Sequence, residues 1–332
     1  MKRRVLATVG ILFTVGSLYL AFRGTDLNGV VEALSQVGYW WAIPVLGSTI
    51  VSIWIRAYRW KIMLDPVKPV STAKTYSATM IGFMANNVLP MRLGEVVRAY
   101  AVGRGSGVSK SSALATIVVE RAFDLLTVLL FLGLMTLRYS VAPWVKVAGY
   151  VALGACLGLF LAMGFLHWKR ETAVRIFRFA TQRLPEKVKI QLEGLLTRFL
   201  DGLEVLSQGS RLALVAVLSI ATWLAMALGF YFTGVAFGMD LPPDSSLVMV
   251  AVCALAVMLP SGPGFIGTFE MGARYGLTRF GISEDLAISY ALFYHAVQFF
   301  PITFLGFYHL WRENFSLRRA VSDEGPWSPD DS

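Results

Sequence analysis

Charge is scarce in this chain. Only 15% of its 332 residues are Asp, Glu, Lys or Arg, while 56% are hydrophobic. A mean hydropathy of +0.60 takes it outside the balance of a water-soluble domain. Cysteine is scarcer still. Cys156 and Cys253 both fall in apolar stretches without paired spacing, which excludes a disulfide framework and a thiolate metal site and leaves them as packing residues. No Gly-x-x-x-x-Gly-Lys-Ser/Thr loop is present, so the chain carries no phosphate cradle for ATP hydrolysis. No metal-ligand cluster stands out either, and no cofactor is expected.

Long apolar runs are abundant. Segments near residues 5 to 22, 39 to 58, 112 to 137, 144 to 166, 212 to 238 and 286 to 311 approach or exceed the roughly 20 apolar residues that a spanning helix needs. Six crossings are therefore expected. Lys2, Arg3 and Arg4 precede the first run, but no small-x-small cleavage site follows, so that run reads as an uncleaved span rather than a signal peptide.

The net charge of +9 does not point to nucleic acid, because the excess sits in particular loops. Basic residues gather at positions 2 to 4, at Arg56, Arg59, Lys61, Lys68 and Lys74, and through residues 168 to 211. The alternate loops are poorer in Lys and Arg. The positive-inside bias then predicts a multi-pass protein with both termini cytoplasmic; a bacterial cytoplasmic (inner) membrane is the expected setting. Residues 168 to 211 are amphipathic, which leaves two alternatives: a helix pair on the anionic inner leaflet, or a solvated loop.

One pattern occurs twice. Leu89, Pro90, Glu95, Tyr100 and Ser109 are echoed by Leu259, Pro260, Glu270, Tyr275 and Ser283, and Gly-Val-Ser at 107 to 109 answers Gly-Ile-Ser at 281 to 283. Each copy interrupts an apolar stretch and precedes a long hydrophobic segment. If residues 71 to 110 crossed once, every later loop would change sides and the basic linker would face outward. An even number of crossings is required, so residues 71 to 110 and 245 to 282 read as re-entrant hairpins entering from opposite faces. Paired interruptions in corresponding halves point to a substrate site.

The expected fold is an all-α integral membrane protein, six full spans plus two re-entrant helical hairpins in an inverted-topology repeat. Residues 1–138 form the first unit, 139–315 the second, and 316–332 a disordered tail rich in Ser, Asp and Pro. Leu to Glu takes six positions in the first copy and eleven in the second, so the outer hairpin is expected to be the less helical.

Charges inside the apolar segments carry the candidate site, since a charge at the centre of a spanning helix costs roughly 2.5 to 3.5 kcal/mol and normally faces a cavity or a partner. Glu120 lies nine residues beyond Ser111, about 13 Å along a helix rising 1.5 Å per residue. Glu120 and Asp124 share a face, while Arg121 points elsewhere. The first hairpin supplies Asn86, Asn87, Arg92, Glu95 and Arg98, and the second Ser261, Thr268 and Glu270. Arg92 and Arg98 suit bidentate binding of phosphate. Glu95, Glu120 and Glu270 either balance those arginines or receive an ammonium group; structural ion pairs are the alternative. Arg56 and Arg59 end the second span beside Tyr58 and Trp60, which fits snorkelling to an interfacial aromatic belt or contact with phosphate. His295 and Gln298 fit a proton path or simple packing.

In order along the chain, Arg-x-x-Arg-Trp (56 to 60), Asn-Asn-x-Leu-Pro-x-Arg-x-Gly-Glu-x-x-Arg (86 to 98), Glu-Arg-x-x-Asp (120 to 124) and Pro-x-Gly-Pro-Gly-x-x-Gly-x-x-Glu (260 to 270) resemble the lysylphosphatidylglycerol synthase transmembrane-region family, also described as flippase-like. The resemblance spans roughly residues 1 to 315. It implies lipid handling: in the multiple-peptide-resistance members the region is implicated in moving aminoacylated phosphatidylglycerol between leaflets ahead of a soluble synthase domain, which this chain is expected to lack. Other members accompany glycosyltransferases or isoprenoid-lipid pathways.

The expectation is a flippase or scramblase-like translocator of an anionic or aminoacylated phospholipid or a polyprenyl-phosphate-linked lipid. Its partners would be the membrane lipid itself and a separate lipid synthase or glycosyltransferase. Two alternatives stand beside it. One is a non-catalytic membrane partner of such an enzyme; the other is an integral-membrane transferase with Glu120 or Glu95 as general base.

Overall fold

The computed structural model describes residues 15–89, 93–139, 143–259, 261–314 and 317. Residues 15–22 are helical, and the regular structure that follows among the described residues is all helix. It comprises α1 (Leu27–Gln36), α2 (Ala42–Leu64), α3 (Thr72–Val88), α4 (Gly94–Gly103), α5 (Lys110–Thr136), α6 (Pro143–Trp168), α7 (Arg170–Thr181), α8 (Glu186–Gly202), α9 (Gly209–Ala236), α10 (Ser245–Val257), α11 (Thr268–Thr278) and α12 (Glu284–Arg312), with short 3₁₀ turns between some of them.

The repeated Gly-x-Ser has a local cause. Gly107 and Gly281 sit at φ +69° and +78°, left-handed values that glycine adopts without a Cβ penalty. The serine two residues on then caps the next helix: Ser109 accepts the Ser112 N–H at 3.0 Å and Ser283 the Leu286 N–H at 3.4 Å. The same device starts both α5 and α12.

Among the described residues, four helices are long and apolar enough to cross a membrane: Tyr39–Leu64, Val145–Trp168, Gly209–Ala236 and Glu284–Arg312. α5 has the length, 27 residues, but carries Glu120, Arg121 and Asp124 in its middle. The expected first span falls largely on residues outside those described.

Residues 71 to 110 fold back on themselves as α3 and α4, which lie side by side. Glycine makes this possible: a Cβ on Gly94 would stand 2.2 Å from the Gly82 carbonyl and 2.4 Å from Asn86 Oδ1. Asn86 Oδ1 accepts the Gly94 N–H at 2.8 Å and so ties the turn. Residues 245 to 282 form the second packed pair, α10 and α11, with Gly272 set against Ala256 and Cys253. Here α10 ends at Val257 and α11 begins at Thr268, and the regular structure among the described residues between them is the 3₁₀ turn Pro263–Phe265.

α2 runs along α9, α3 packs on α12, and α10 packs on α5. The α3–α12 approach is tight, since a Cβ on Gly306 would lie 2.2 Å from Met84 Cβ. Residues 168 to 211 are a helix pair rather than a loop. α8 docks on the start of α5, where Ser111 and Ser112 donate to the carbonyls of Leu195 and Arg198 at 2.8 and 2.6 Å. Ile176, Phe179 and Ile190 remain exposed on α7 and α8.

Candidate functional site

α5 is the spine of a buried ion cluster. Glu120 and Asp124, one helical turn apart, receive four guanidinium groups from three helices. Arg98 on α4 donates from both Nη atoms to both oxygens of Glu120, each at 2.9 Å, while its plane lies 3.8 Å over the ring of Trp60. This is the bidentate, stacked geometry that Arg supports and Lys does not. α2 contributes two more on one face. Arg56 Nη1 donates to Asp124 Oδ2 at 2.6 Å, and Arg59 Nη1 donates to Asp124 Oδ1 at 2.8 Å and to Ser219 Oγ at 2.5 Å. Arg121 closes the set, with Nη2 at 2.6 Å from Glu120 Oε1 and 3.3 Å from Asp124 Oδ2.

Trp223 Nε1 donates to Asp124 Oδ1 at 3.1 Å, and Trp60 Nε1 to Thr116 Oγ1 at 2.9 Å. Ser219 and Trp223, again four apart, were not singled out by the sequence. Their signal is a polar pair on one face of an otherwise apolar span, legible only once α9 is known to face α5.

The charge balance of the cluster is uneven. Arg56, Arg59, Arg98 and Arg121 against Glu120 and Asp124 gives 4 − 2 = +2. Glu120 and Arg59 side chains are fully buried, whereas the Arg121 side chain is 41% exposed. Among the described residues, Nε of Arg59, Arg98 and Arg121 has no hydrogen-bond partner, and Arg59 Nη2 has only its 3.4 Å ion pair with Glu120 Oε1. Burying N–H groups unmet is costly, and costlier when they are charged.

This arrangement corrects several expectations. Arg56 and Arg59 do not snorkel, because both are buried on carboxylates. Trp60 belongs to the core and not to an interfacial belt, being 0% exposed. Arg121 points at the same two carboxylates as the other arginines. The Arg98 fork is already taken by Glu120, so it is not an open phosphate ligand. Glu95 is half-buried in the first turn of α4, within electrostatic reach of Arg121. Arg92 lies outside the described residues.

The remaining candidates do not join this cluster. Asn86 holds the first hairpin's turn, as above, and Asn87 Nδ2 donates to Thr303 Oγ1 on α12 at 2.9 Å. Thr268 Oγ1 donates to the Phe265 carbonyl at 2.9 Å, and Ser261 Oγ is buried with no hydrogen-bond partner among the described residues. Glu270 builds a second, smaller site. Its Oε2 accepts the Gly267 N–H at 2.6 Å, and its Oε1 stands 2.5 Å from Nδ1 of His295 on α12. His295 Nε2 lies 2.9 Å from the Gly264 carbonyl.

The loop so held is strained. Gly264, Phe265 and Gly267 have φ of +69°, +61° and +90°, and for the one non-glycine among them that region costs about 1–2 kcal/mol. Gly264 also stands 3.7 Å, measured from its would-be Cβ, from the Asn87 carbonyl, so the second hairpin's turn reaches the end of α3.

Helices of spanning length, two broken helical pairs packed among them and a buried arginine–carboxylate cluster define a multi-pass α-helical membrane protein with a polar interior. The chain belongs to the family described as lysylphosphatidylglycerol synthase TM region, which it matches over residues 7–306. A UPF0104 membrane protein of Methanothermobacter thermautotrophicus is 28% identical over 76% of this chain and 77% of its own length. Glycosyltransferase AglD of Haloferax volcanii is 26% identical over 97% of this chain, which spans only 57% of that protein. UPF0104 membrane protein MJ1078 of Methanocaldococcus jannaschii is 25% identical over 67% of this chain and 90% of its own length. These three relatives are archaeal. No solved structure matches.

Proposed function

We propose that this protein translocates a lipid with an anionic headgroup across the membrane, the headgroup meeting the arginine cluster while the tails stay in the bilayer. One observation carries this: four guanidinium groups converge on two carboxylates, an excess of two positive charges that Glu95 beside Arg121 lowers to one, with Arg121 partly open. A phosphate supplies both the charge and the acceptors. Glu120 and Asp124 hold the arginines in place rather than binding the cargo. Anionic phospholipids, aminoacylated phospholipids and polyprenyl phosphates share the chemistry recognised here.

The two hairpins act as facing elements of an inverted repeat, with residues 1–138 and 139–315 as its units. The packing supports this reading. Exchanging α2 with α9, α3–α4 with α10–α11 and α5 with α12 turns the α3–α12 contact into α10–α5 and the α2–α3 contact into α9–α10, all of which occur. A second reading follows from AglD, whose name is that of a glycosyltransferase. In that reading the membrane region serves an enzyme acting on a lipid-linked sugar, and transport or delivery requires that enzyme.

The test uses the purified protein in liposomes carrying asymmetrically labelled lipids of several headgroups. The expected result is faster crossing of anionic lipid than in empty liposomes, reduced at least tenfold by Arg121→Ala. Crossing no faster than in empty liposomes for every headgroup overturns unaided translocation. Crossing only after a glycosyltransferase or synthase is added selects the second reading, and covalently altered lipid selects a transferase.

A further inference from the structure

The geometry points to a proton-binding site at Glu270 and His295, separate from the arginine cluster, which latches the loop 261–267 onto α12 while its proton is present. It concerns the loop and not the cargo, so it stands or falls independently of lipid translocation.

The case rests on counting hydrogens. The Gly264 carbonyl can only accept, so the 2.9 Å contact to His295 Nε2 requires a hydrogen on that nitrogen. The 2.5 Å contact between Nδ1 and Glu270 Oε1 also requires a hydrogen between them. A neutral imidazole has one N–H, and an ionised carboxylate has none. Both contacts therefore exist together only when the pair holds one proton more, as imidazolium with carboxylate or as imidazole with carboxylic acid. Release of that proton to water changes the pair from neutral to −1 and leaves one N–H for two acceptors. If the N–H stays on Nδ1, it serves Glu270, and the Nε2 lone pair then faces the Gly264 carbonyl and repels it.

The surroundings suit such a site. The side chains of Glu270 and His295 are 3% and 16% exposed, and the rings of Phe269 and Phe299 flank the imidazole at 5.0 and 6.0 Å. Packed against the pair are the Cys253 thiol from α10 and, behind it on α12, the phenols of Tyr290 and Tyr294; α3 presents Asn87, which is uncharged, and Arg274, one turn along α11 from Glu270, is engaged instead by Glu284 and the Leu20 and Ala21 carbonyls. The thiol and the phenols contribute no permanent charge, and the charge of Arg274 is paired with Glu284. The loop itself is held in left-handed conformations at Gly264, Phe265 and Gly267, so it has reason to move once released.

A single substitution separates this from a purely structural contact. Glu270→Gln keeps every bond without the extra proton: the amide oxygen accepts the Gly267 N–H, the amide N–H donates to Nδ1, and Nε2–H still reaches Gly264. His295→Ala removes the latch. With Cys156 and Cys253 replaced by Ala, a Ser261→Cys reporter is labelled by a soluble maleimide in the full-length protein in nanodiscs. Its rate is taken as a ratio to the same reporter in the Glu270→Gln background, which cancels the thiol's own pH dependence. The expected ratio is near one at acidic pH and rises severalfold as pH increases, while His295→Ala is high throughout. A ratio that stays at one over the whole range, with proteins of unchanged elution volume, overturns the proposal. Equal labelling of Glu270→Gln and His295→Ala overturns it as well.

Discussion

Each hairpin is tied to the helix that follows it by a buried side-chain pair, Arg98 to Glu120 in the first and Glu270 to His295 in the second, beside more peripheral contacts of Lys110 with Tyr100 and of Arg274 with Glu284, and the buried ties differ in what can undo them. A guanidinium group keeps its charge under all ordinary conditions, so the first tie is permanent unless another anion competes for it. The second depends on a proton. The first hairpin is also knit into a set of six charged groups and closed by a direct asparagine bond across its turn, whereas the second ends in a longer, strained loop. Similar sequence echoes can therefore build one element that responds to anions and another that responds to pH.

Removing Glu120 should break the comparison most severely. Glu120→Ala leaves the buried guanidinium group of Arg98 without its carboxylate and those of Arg56 and Arg59 on Asp124 alone, and a cost of about 3–5 kcal/mol is expected as a lowered denaturation midpoint in detergent micelles. Next comes Gly94→Ala at about 2–3 kcal/mol, because the new Cβ meets backbone and Asn86 at the first hairpin's turn. Its counterpart Gly272→Ala should cost less, since the nearest atom is the Ala256 methyl at 2.7 Å rather than a carbonyl at 2.2 Å. Equal losses would mean that the two hairpins close by the same mechanics.

Arg98→Lys tests the permanence of the first tie. It keeps the charge but loses one of two hydrogen bonds and the stack on Trp60, for about 1–2 kcal/mol by the same measurement. Glu270→Gln should cost less than about 1 kcal/mol, since each bond of that carboxylate has an amide equivalent. The smallest effect belongs to a control outside both hairpins. The hydrogen bond from Arg178 holds the Glu193 carboxyl below its ordinary range, so this exposed tie between α7 and α8 is intact above that range and is lost as pH falls through it. Amide-exchange protection in residues 170–202, taken relative to the intrinsic rate at each pH, should fall slightly on acidification. A change there as large as at loop 261–267 would remove the distinction between a surface pair and a latch.

Much of this was legible from single residues. Gly107, Ser109, Gly281 and Ser283 announce the starts of α5 and α12 because a left-handed glycine and a capping serine act locally. Glu120 and Asp124 stood out because a carboxylate in an apolar run needs a partner wherever the chain goes. Partner choice was not legible. Arg56 and Arg59 end an apolar run beside aromatics, a pattern equally suited to an interface, and only the packing of α2 against α9 and α5 turns them inward. His295 offered no local sign either, since its partner Glu270 is 25 residues away on another helix. Grouping the candidates by hairpin obscured the division into two sites, because Asn86 and Arg98 share a hairpin yet serve a turn and an ion cluster.

The surplus in the arginine cluster has a consequence for leakage. A protein with a polar interior in a membrane risks conducting protons and metal ions down their gradients. Counting Glu95 beside Arg121, the described charges still sum to 4 − 3 = +1, held between α2, α4, α5 and α9. Fixed positive charge of this kind is what excludes cations from narrow pathways. On the proposed function, the same arginines that would attract an anion would also repel small cations, so anion recognition and resistance to cation leakage would share one cause.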